Sequence, residues 1–80
     1  MDTMKEVIEL LIQLEQEGTL PKNIRSKIKN TMNLLDENLD VAIKIDKSLQ
    51  ELDEIAEDPN VPSYARTQIW NVMSLLESRK

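Results

Sequence analysis

Hydrophobic residues recur every three or four positions along most of the chain, which is the period of amphipathic helices. Three polar breaks interrupt the pattern: one around Gly18 to Pro21, one at DENLD (36–40) and one at EDPNVP (57–62). The four stripes are Met4, Val7, Ile8, Leu11, Leu14; Ile24, Ile28, Thr31, Met32, Leu35; Val41, Ala42, Ile45, Leu49, Leu52, Ile55; and Ala65, Ile69, Val72, Met73, Leu76. The pattern therefore predicts an all-α protein of four helices. We expect Gly18 to end the first helix and Asn38 to cap the third.

The second half of the chain repeats the first with an offset of 41 residues. Residues 21–37 (PKNIRSKIKNTMNLLDE) align with residues 62–78 (PSYARTQIWNVMSLLES), and seven of the seventeen positions are identical. The apolar stripes also coincide under this offset. Each half has about the size of a HEAT-type hairpin, roughly 40–47 residues. We therefore predict one domain over residues 1–80, a compact four-helix bundle with pseudo-twofold symmetry, made of tandem αα-hairpins at 1–37 and 38–80.

The only Trp and the only Tyr of the chain occupy positions that are polar in the other half. Trp70 aligns with Lys29, and Tyr64 aligns with Asn23. We therefore expect both aromatic side chains at the edge of the core. One interpretation is a partner or dimer surface, because Trp and Tyr are enriched among the residues that dominate binding energy. The other is that Trp70 caps the bundle, or packs against the acidic link or the first helix.

The composition narrows the class of protein. Eighty residues make one domain with a thin core. The absence of Cys fits a reducing compartment, and no apolar run is long enough for a membrane span or a secretory signal, so we expect a cytoplasmic protein with no membrane association. A net charge of −5 and a pI of about 4.6 disfavour generic binding to DNA or anionic membranes.

The residue types present exclude most catalytic sites. No His is available for general acid–base catalysis, for a Ser/His/Asp triad or for His-containing zinc and di-iron sites, and the single Gly excludes a Gly-rich phosphate loop. The acids Asp36, Glu37 and Asp40 lack the spacing of a calcium loop and suit the N-terminus of the third helix. We therefore predict no catalytic, cofactor or metal site, and no enzyme activity.

Each half carries one arginine four residues after a proline, near the start of a helix. A positive charge is unfavourable there because of the helix dipole, so we expect carboxylates to compensate it. The predicted pairs are Arg25 with Glu17 or Glu15, and Arg66 with Asp58 or Glu57. The alternative is that these arginines contact a partner's carboxylate or a nucleic-acid phosphate.

The second helix is basic and the third is mostly acidic. Lys22, Arg25, Lys27 and Lys29 have no acidic neighbour before Asp36. This run indicates either an RNA-binding stripe or charge complementarity between neighbouring helices. Because no aromatic residue interleaves the run to stack on bases, and the chain is acidic overall, we favour complementarity.

The segment Leu52–Glu77, LDEIAEDPNVPSYARTQIWNVMSLLE, resembles the signature of a small archaeal family of uncharacterised proteins (a UPF-class family). The shared elements are Leu-Asp-Glu-Ile, Asp-Pro-Asn, a further Pro, Ala-Arg-Thr and Ile-Trp-Asn. The resemblance implies a compact four-helix protein with no assigned function. It draws attention to Asp58, Asn60, Pro62, Arg66, Trp70 and Asn71.

We therefore interpret the chain as a protein of unknown function that acts as a small, non-enzymatic module for protein interaction, with a protein partner or a second copy. The expected partner surface is Asn60, Tyr64, Arg66, Trp70 and Asn71. The alternative is an RNA- or ribosome-associated protein that uses the basic second helix.

Overall fold

The computed structural model describes residues 3–79. They form four helices: α1 (Thr3–Glu15), α2 (Lys22–Leu35), α3 (Val41–Glu57) and α4 (Ser63–Glu77). Each helix packs against its neighbours along the chain, and α1 also packs against α4, so the four helices surround one core. The predicted compact all-α four-helix architecture is confirmed.

The core takes apolar side chains from all four helices and one from each hairpin corner. Its buried apolar members are Val7, Leu11, Leu14, Leu20, Ile24, Ile28, Leu35, Ile45, Leu52, Ile55, Ala56, Val61, Ala65, Ile69, Val72 and Leu76. Two predicted members of the third stripe are wrong: Val41 is 48% exposed and Ala42 is exposed as well. Both lie in the first turn of α3, where the helix extends past the end of the core.

Buried positions in the two halves lie 41 residues apart. The buried residues Leu11, Leu14, Ile28 and Leu35 correspond to the buried residues Leu52, Ile55, Ile69 and Leu76. The first corner (residues 16–21) and the second corner (58–62) also share their main-chain hydrogen bonds. Glu17 N donates to Leu14 O at 3.1 Å as Asp58 N donates to Ile55 O at 3.1 Å, and Leu20 N donates to Glu17 O at 3.2 Å as Val61 N donates to Asp58 O at 3.1 Å. The chain therefore turns in the same way at both corners.

Two predicted helix ends need correction. The first helix ends at Glu15, before Gly18, and Gly18 does not adopt a positive φ. The N-cap of α3 is Asp40 and not Asn38, because Asp40 directly precedes the first helical residue and its carboxylate accepts from Ala42 N at 3.0 Å.

Short corners make neighbouring helices antiparallel and place both corners at one end of the bundle. A hydrogen bond between the hydroxyls of Tyr64, at the start of α4, and Thr19, in the first corner, confirms their proximity. The acidic link at 36–40 joins α2 to α3 at the other end. Within residues 3–79, no helix combines the length and the apolar character needed to cross a membrane.

Candidate functional site

Trp70 lies on the outward side of α4. It follows the buried residue Ile69, and successive residues are about 100° apart around a helix. Trp70 is 54% exposed to solvent. Trp70 therefore lies at the edge of the core and offers an apolar surface to solvent.

Tyr64 has a different environment, on the side of α4 that faces α1. Its phenol donates to Glu17 Oε2 at 3.2 Å and is hydrogen-bonded to the Thr19 hydroxyl, although Tyr64 remains 49% exposed. A pocket of about 100 Å³ lies beside it, lined by Leu10, Gln13, Leu14, Glu17, Tyr64 and Gln68. Tyr64 therefore connects α4 to the first corner. Sequence analysis missed Thr19, Gln13 and Gln68, because the local pattern carries no signal for contacts between residues this far apart along the chain.

Arg66 holds the second corner, though not through a carboxylate as predicted. Its Nε donates to Ala56 O at 2.8 Å, and its Nη2 donates to Asp58 O and Val61 O, each at 3.1 Å. The last four carbonyl groups of a helix receive no N–H donor from within the helix, so Ala56 O is available to the guanidinium. The Asp58 carboxylate instead accepts from Asn60 N at 2.8 Å. Arg66 therefore holds this corner by bonding to main-chain carbonyls.

Arg25, which corresponds to Arg66 in the first half, behaves differently. Its Nε is buried and has no hydrogen-bond partner. Glu17, the predicted partner of Arg25, accepts from Tyr64. Arg25 Nε thus makes no bond equivalent to the one that Arg66 Nε donates to Ala56 O.

The five residues predicted as one partner surface lie on more than one face. Arg66 and Trp70 are four residues apart and share a side of α4, whereas Tyr64 and Asn71 are seven apart and share another. Asn60 is exposed in the second corner. We define the Trp70 face as Arg66, Trp70, Met73 and Glu77, which recur at helical spacing. The Trp70 face is the candidate binding surface, and Tyr64 and Asn71 lie outside it.

Acidic residues of α3 border the Trp70 face. Arg66, near the start of α4, bonds to Ala56 O, near the end of α3. Counting away from this contact along two antiparallel helices puts Asp53 about level with Trp70. Glu57 follows one turn later, and both acids are exposed. We call Asp53 and Glu57 the acidic edge of the Trp70 face.

An open groove lies between α1 and α2. This groove has a volume of about 400 Å³ and is lined by Met4, Ile8, Lys29, Met32, Asn33, Leu35 and Asp36. Lys22, Arg25 and Lys29, which are three and four residues apart, form a basic stripe on that side of α2. Lys27 is half-buried on another side, so the predicted run of four basic residues is a stripe of three.

Carboxylates are scattered over the surface of the described residues. Between residues 3 and 79 there is no group of three or more His, Cys, Asp or Glu side chains placed to hold a metal ion. Of the three acids in the link, Asp40 is occupied as the cap of α3.

The fold and sequence match a set of archaeal proteins. The model of the uncharacterised protein family UPF0147 matches residues 1–78. A UPF0147 protein from Metallosphaera sedula is 40% identical over 76 residues, covering 94% of this chain and 85% of that protein. The crystal structure of a UPF0147 protein from Thermoplasma acidophilum superimposes with a TM-score of 0.93 at 35% identity, covering 98% of this chain and 93% of the other. A further crystal structure, of a protein of unknown function, gives a TM-score of 0.93 at 36% identity, over 99% and 91% of the two chains. These matches confirm the resemblance to an archaeal family of uncharacterised proteins.

Proposed function

The chain belongs to the UPF0147 family of uncharacterised proteins, and we propose that it is a non-enzymatic helical module that binds a protein partner through the Trp70 face. The exposure of Trp70 carries this proposal, because the only Trp of the chain is 54% exposed to solvent. Covering an exposed indole removes a large apolar area from solvent, and buried Trp side chains dominate many interfaces.

The neighbours of Trp70 make it a favourable anchor for binding. One turn before it, Arg66 is fixed by three hydrogen bonds to main-chain carbonyls, and one turn after it, Met73 packs against the core. Less conformational freedom is lost on binding when the contact residues are already ordered. The Trp70 face therefore presents an apolar side chain on a rigid support.

We further infer that the hairpins at 1–37 and 38–80 are tandem copies related by a pseudo-twofold axis. The spacing of buried residues and the shared hydrogen bonds of the two corners support this inference. On this view the copies differ where Lys29 of the first corresponds to Trp70 of the second. The second hairpin thus binds a partner because it carries a tryptophan where the first hairpin, with the same helical scaffold, carries a lysine.

Site-specific photo-crosslinking in cells tests the proposed function. A photoreactive phenylalanine analogue replaces Trp70 in one variant and Asn71 in the control, which is exposed about 100° further around α4. We expect a discrete protein adduct from position 70 and none from position 71. Equal adducts at both positions, or none at position 70, would contradict a partner on the Trp70 face.

The basic stripe supports a second candidate, association with RNA or the ribosome. Lys22, Arg25 and Lys29 share one side of α2, and a row of cations of this kind suits contact with phosphates. Changing Lys22 and Lys29 together to Glu should then abolish a salt-sensitive, nuclease-sensitive association, and Lys27→Glu, on another side of α2, should leave it intact. If both variants still sediment with ribosomes as the wild type does, this candidate is wrong.

A further inference from the structure

We propose that the groove between α1 and α2 receives Trp70 of a second copy of this chain, so that copies associate head to tail. The proposal deepens the proposed function and rests on it, because it uses the same Trp70 face and adds the identity of the partner. Its two components are the exposed indole on the second hairpin and the open groove on the first.

The groove has the size and the chemistry to accept an indole. Its volume of about 400 Å³ is within the range of roughly 300–1,000 Å³ typical of ligand sites. Met4, Ile8 and Met32 supply an apolar floor, and methionine sulfur makes favourable contacts with aromatic rings. Lys29 lines the groove as well, and its ammonium can lie against the face of the ring as a cation–π partner.

The charges beside Trp70 and beside Lys29 are complementary. The Trp70 face is bordered by Asp53 and Glu57, which are four residues apart on α3. The groove is lined by Lys29, with Arg25 four residues before it on α2, and its one acid, Asp36, lies seven residues beyond Lys29. In both helices the four-residue spacing places the two like charges one turn apart on the same side. A second copy that seats Trp70 in the groove can therefore bring its acidic edge against the basic stripe.

Charge complementarity favours this contact over a symmetric one. In a symmetric contact both copies present the Trp70 face with its acidic edge and neither presents the basic stripe, so this pairing of unlike charges is absent. The face and the groove are different surfaces, so each bound copy keeps one of them free. Association is therefore heterologous, and it continues beyond two copies unless a ring closes.

Sedimentation equilibrium over a concentration series tests the proposal. We expect the wild-type mass to rise above the 9.3 kDa of one chain as concentration increases. Trp70→Ala removes the anchor and Lys29→Glu reverses the charge in the groove, so each should weaken association by about thirty-fold or more, the effect of losing a dominant interface contact. Asn71→Ala and Lys47→Glu are the controls, since both alter exposed residues outside the face and the groove.

A mixture of the two deficient variants provides the sharpest result. The Trp70→Ala chain keeps an intact groove, and the Lys29→Glu chain keeps its Trp70. Neither variant associates alone, but an equimolar mixture should form a complex of two chains and no larger species. Circular dichroism checks that each variant retains the helical content of the wild type.

Other outcomes would overturn the proposal in distinguishable ways. A wild-type chain that stays at 9.3 kDa at every concentration excludes self-association. A photo-crosslink from position 70 to a different protein would, in that case, still uphold the proposed function. Association that is lost in Trp70→Ala and unchanged in Lys29→Glu would keep the Trp70 face and exclude the groove. Association that survives Trp70→Ala would exclude the indole as the contact.

Discussion

At the residue scale, two arginines in equivalent positions have different environments. Arg66 donates to three main-chain carbonyls of the second corner, whereas Arg25 Nε is buried without a partner in the first. The two corners share two main-chain hydrogen bonds, whereas their side-chain contacts differ. In the first corner Glu17 accepts from Tyr64, and in the second the shorter Asp58 bonds to the main chain at Asn60.

Replacing each arginine by lysine should separate their contributions to stability. An ammonium cannot reproduce the planar set of donors that serves three carbonyls, so Arg66→Lys should lower the free energy of unfolding by about 1–3 kcal/mol. Arg25→Lys should cost less than about 0.5 kcal/mol, because it breaks no Nε hydrogen bond. Urea unfolding followed by circular dichroism measures both, and equal losses would show that the Arg66 bonds contribute little.

At the element scale, the start of α3 depends on one side chain in an acidic link. Asp40 directly precedes Val41, and its carboxylate accepts the Ala42 N–H that the helix leaves without a partner. Asn38 is two residues too early to occupy that position. The link offers several residues of capping type, and only the observed end of the helix distinguishes them.

Truncating the cap should destabilise the protein. Asp40→Ala removes the acceptor for Ala42 N, and we expect a loss of about 1 kcal/mol in the free energy of unfolding. Asn38→Ala serves as the matched control and should change it by less than about 0.5 kcal/mol. Thermal unfolding of the two variants beside the wild type decides the assignment. A larger loss for Asn38→Ala would show that Asn38, and not Asp40, is the N-cap of α3.

The helices and most of the core were predictable from the sequence, because burial follows the apolar period directly. Leu11, Ile28, Leu52 and Ile69 are buried as their spacing requires. The partners of Arg66 were not predictable, because every residue has a carbonyl and the sequence does not mark those within reach. The groove was likewise unpredictable from a pattern, since it depends on how far apart α1 and α2 lie.

The candidate site was predicted in part. The exchange of Lys29 for Trp70 between the halves indicated the exposed indole, because a position that is polar in one copy is usually wet in both. The same argument placed Tyr64 on the partner surface, but in the structure its phenol is hydrogen-bonded to Thr19 and Glu17. Both aromatic residues are exposed, and they differ in their direction around α4. Tyr64 is on the side that connects to the first corner, and Trp70 is on another side that faces solvent.

At the scale of the whole molecule, the four helices enclose one core and leave two unlike surfaces on the two hairpins. The second hairpin presents Trp70 beside Asp53 and Glu57, and the first presents the apolar groove beside Arg25 and Lys29. A net charge of −5 opposes the approach of two copies at long range, so the contact depends on this local complementarity. The surfaces that differ between the hairpins are therefore the ones we assign to binding.

The fluorescence of Trp70 tests the central claim most directly, because it is the only Trp of the chain. In dilute solution we expect long-wavelength emission and ready quenching by acrylamide, as for an indole in water. As the protein is concentrated, the emission should shift to shorter wavelength and quenching should fall, and Lys29→Glu should suppress both changes. Short-wavelength emission that resists quenching at the highest dilution would show that Trp70 is already covered within one chain, and it would contradict the Trp70 face as a binding surface.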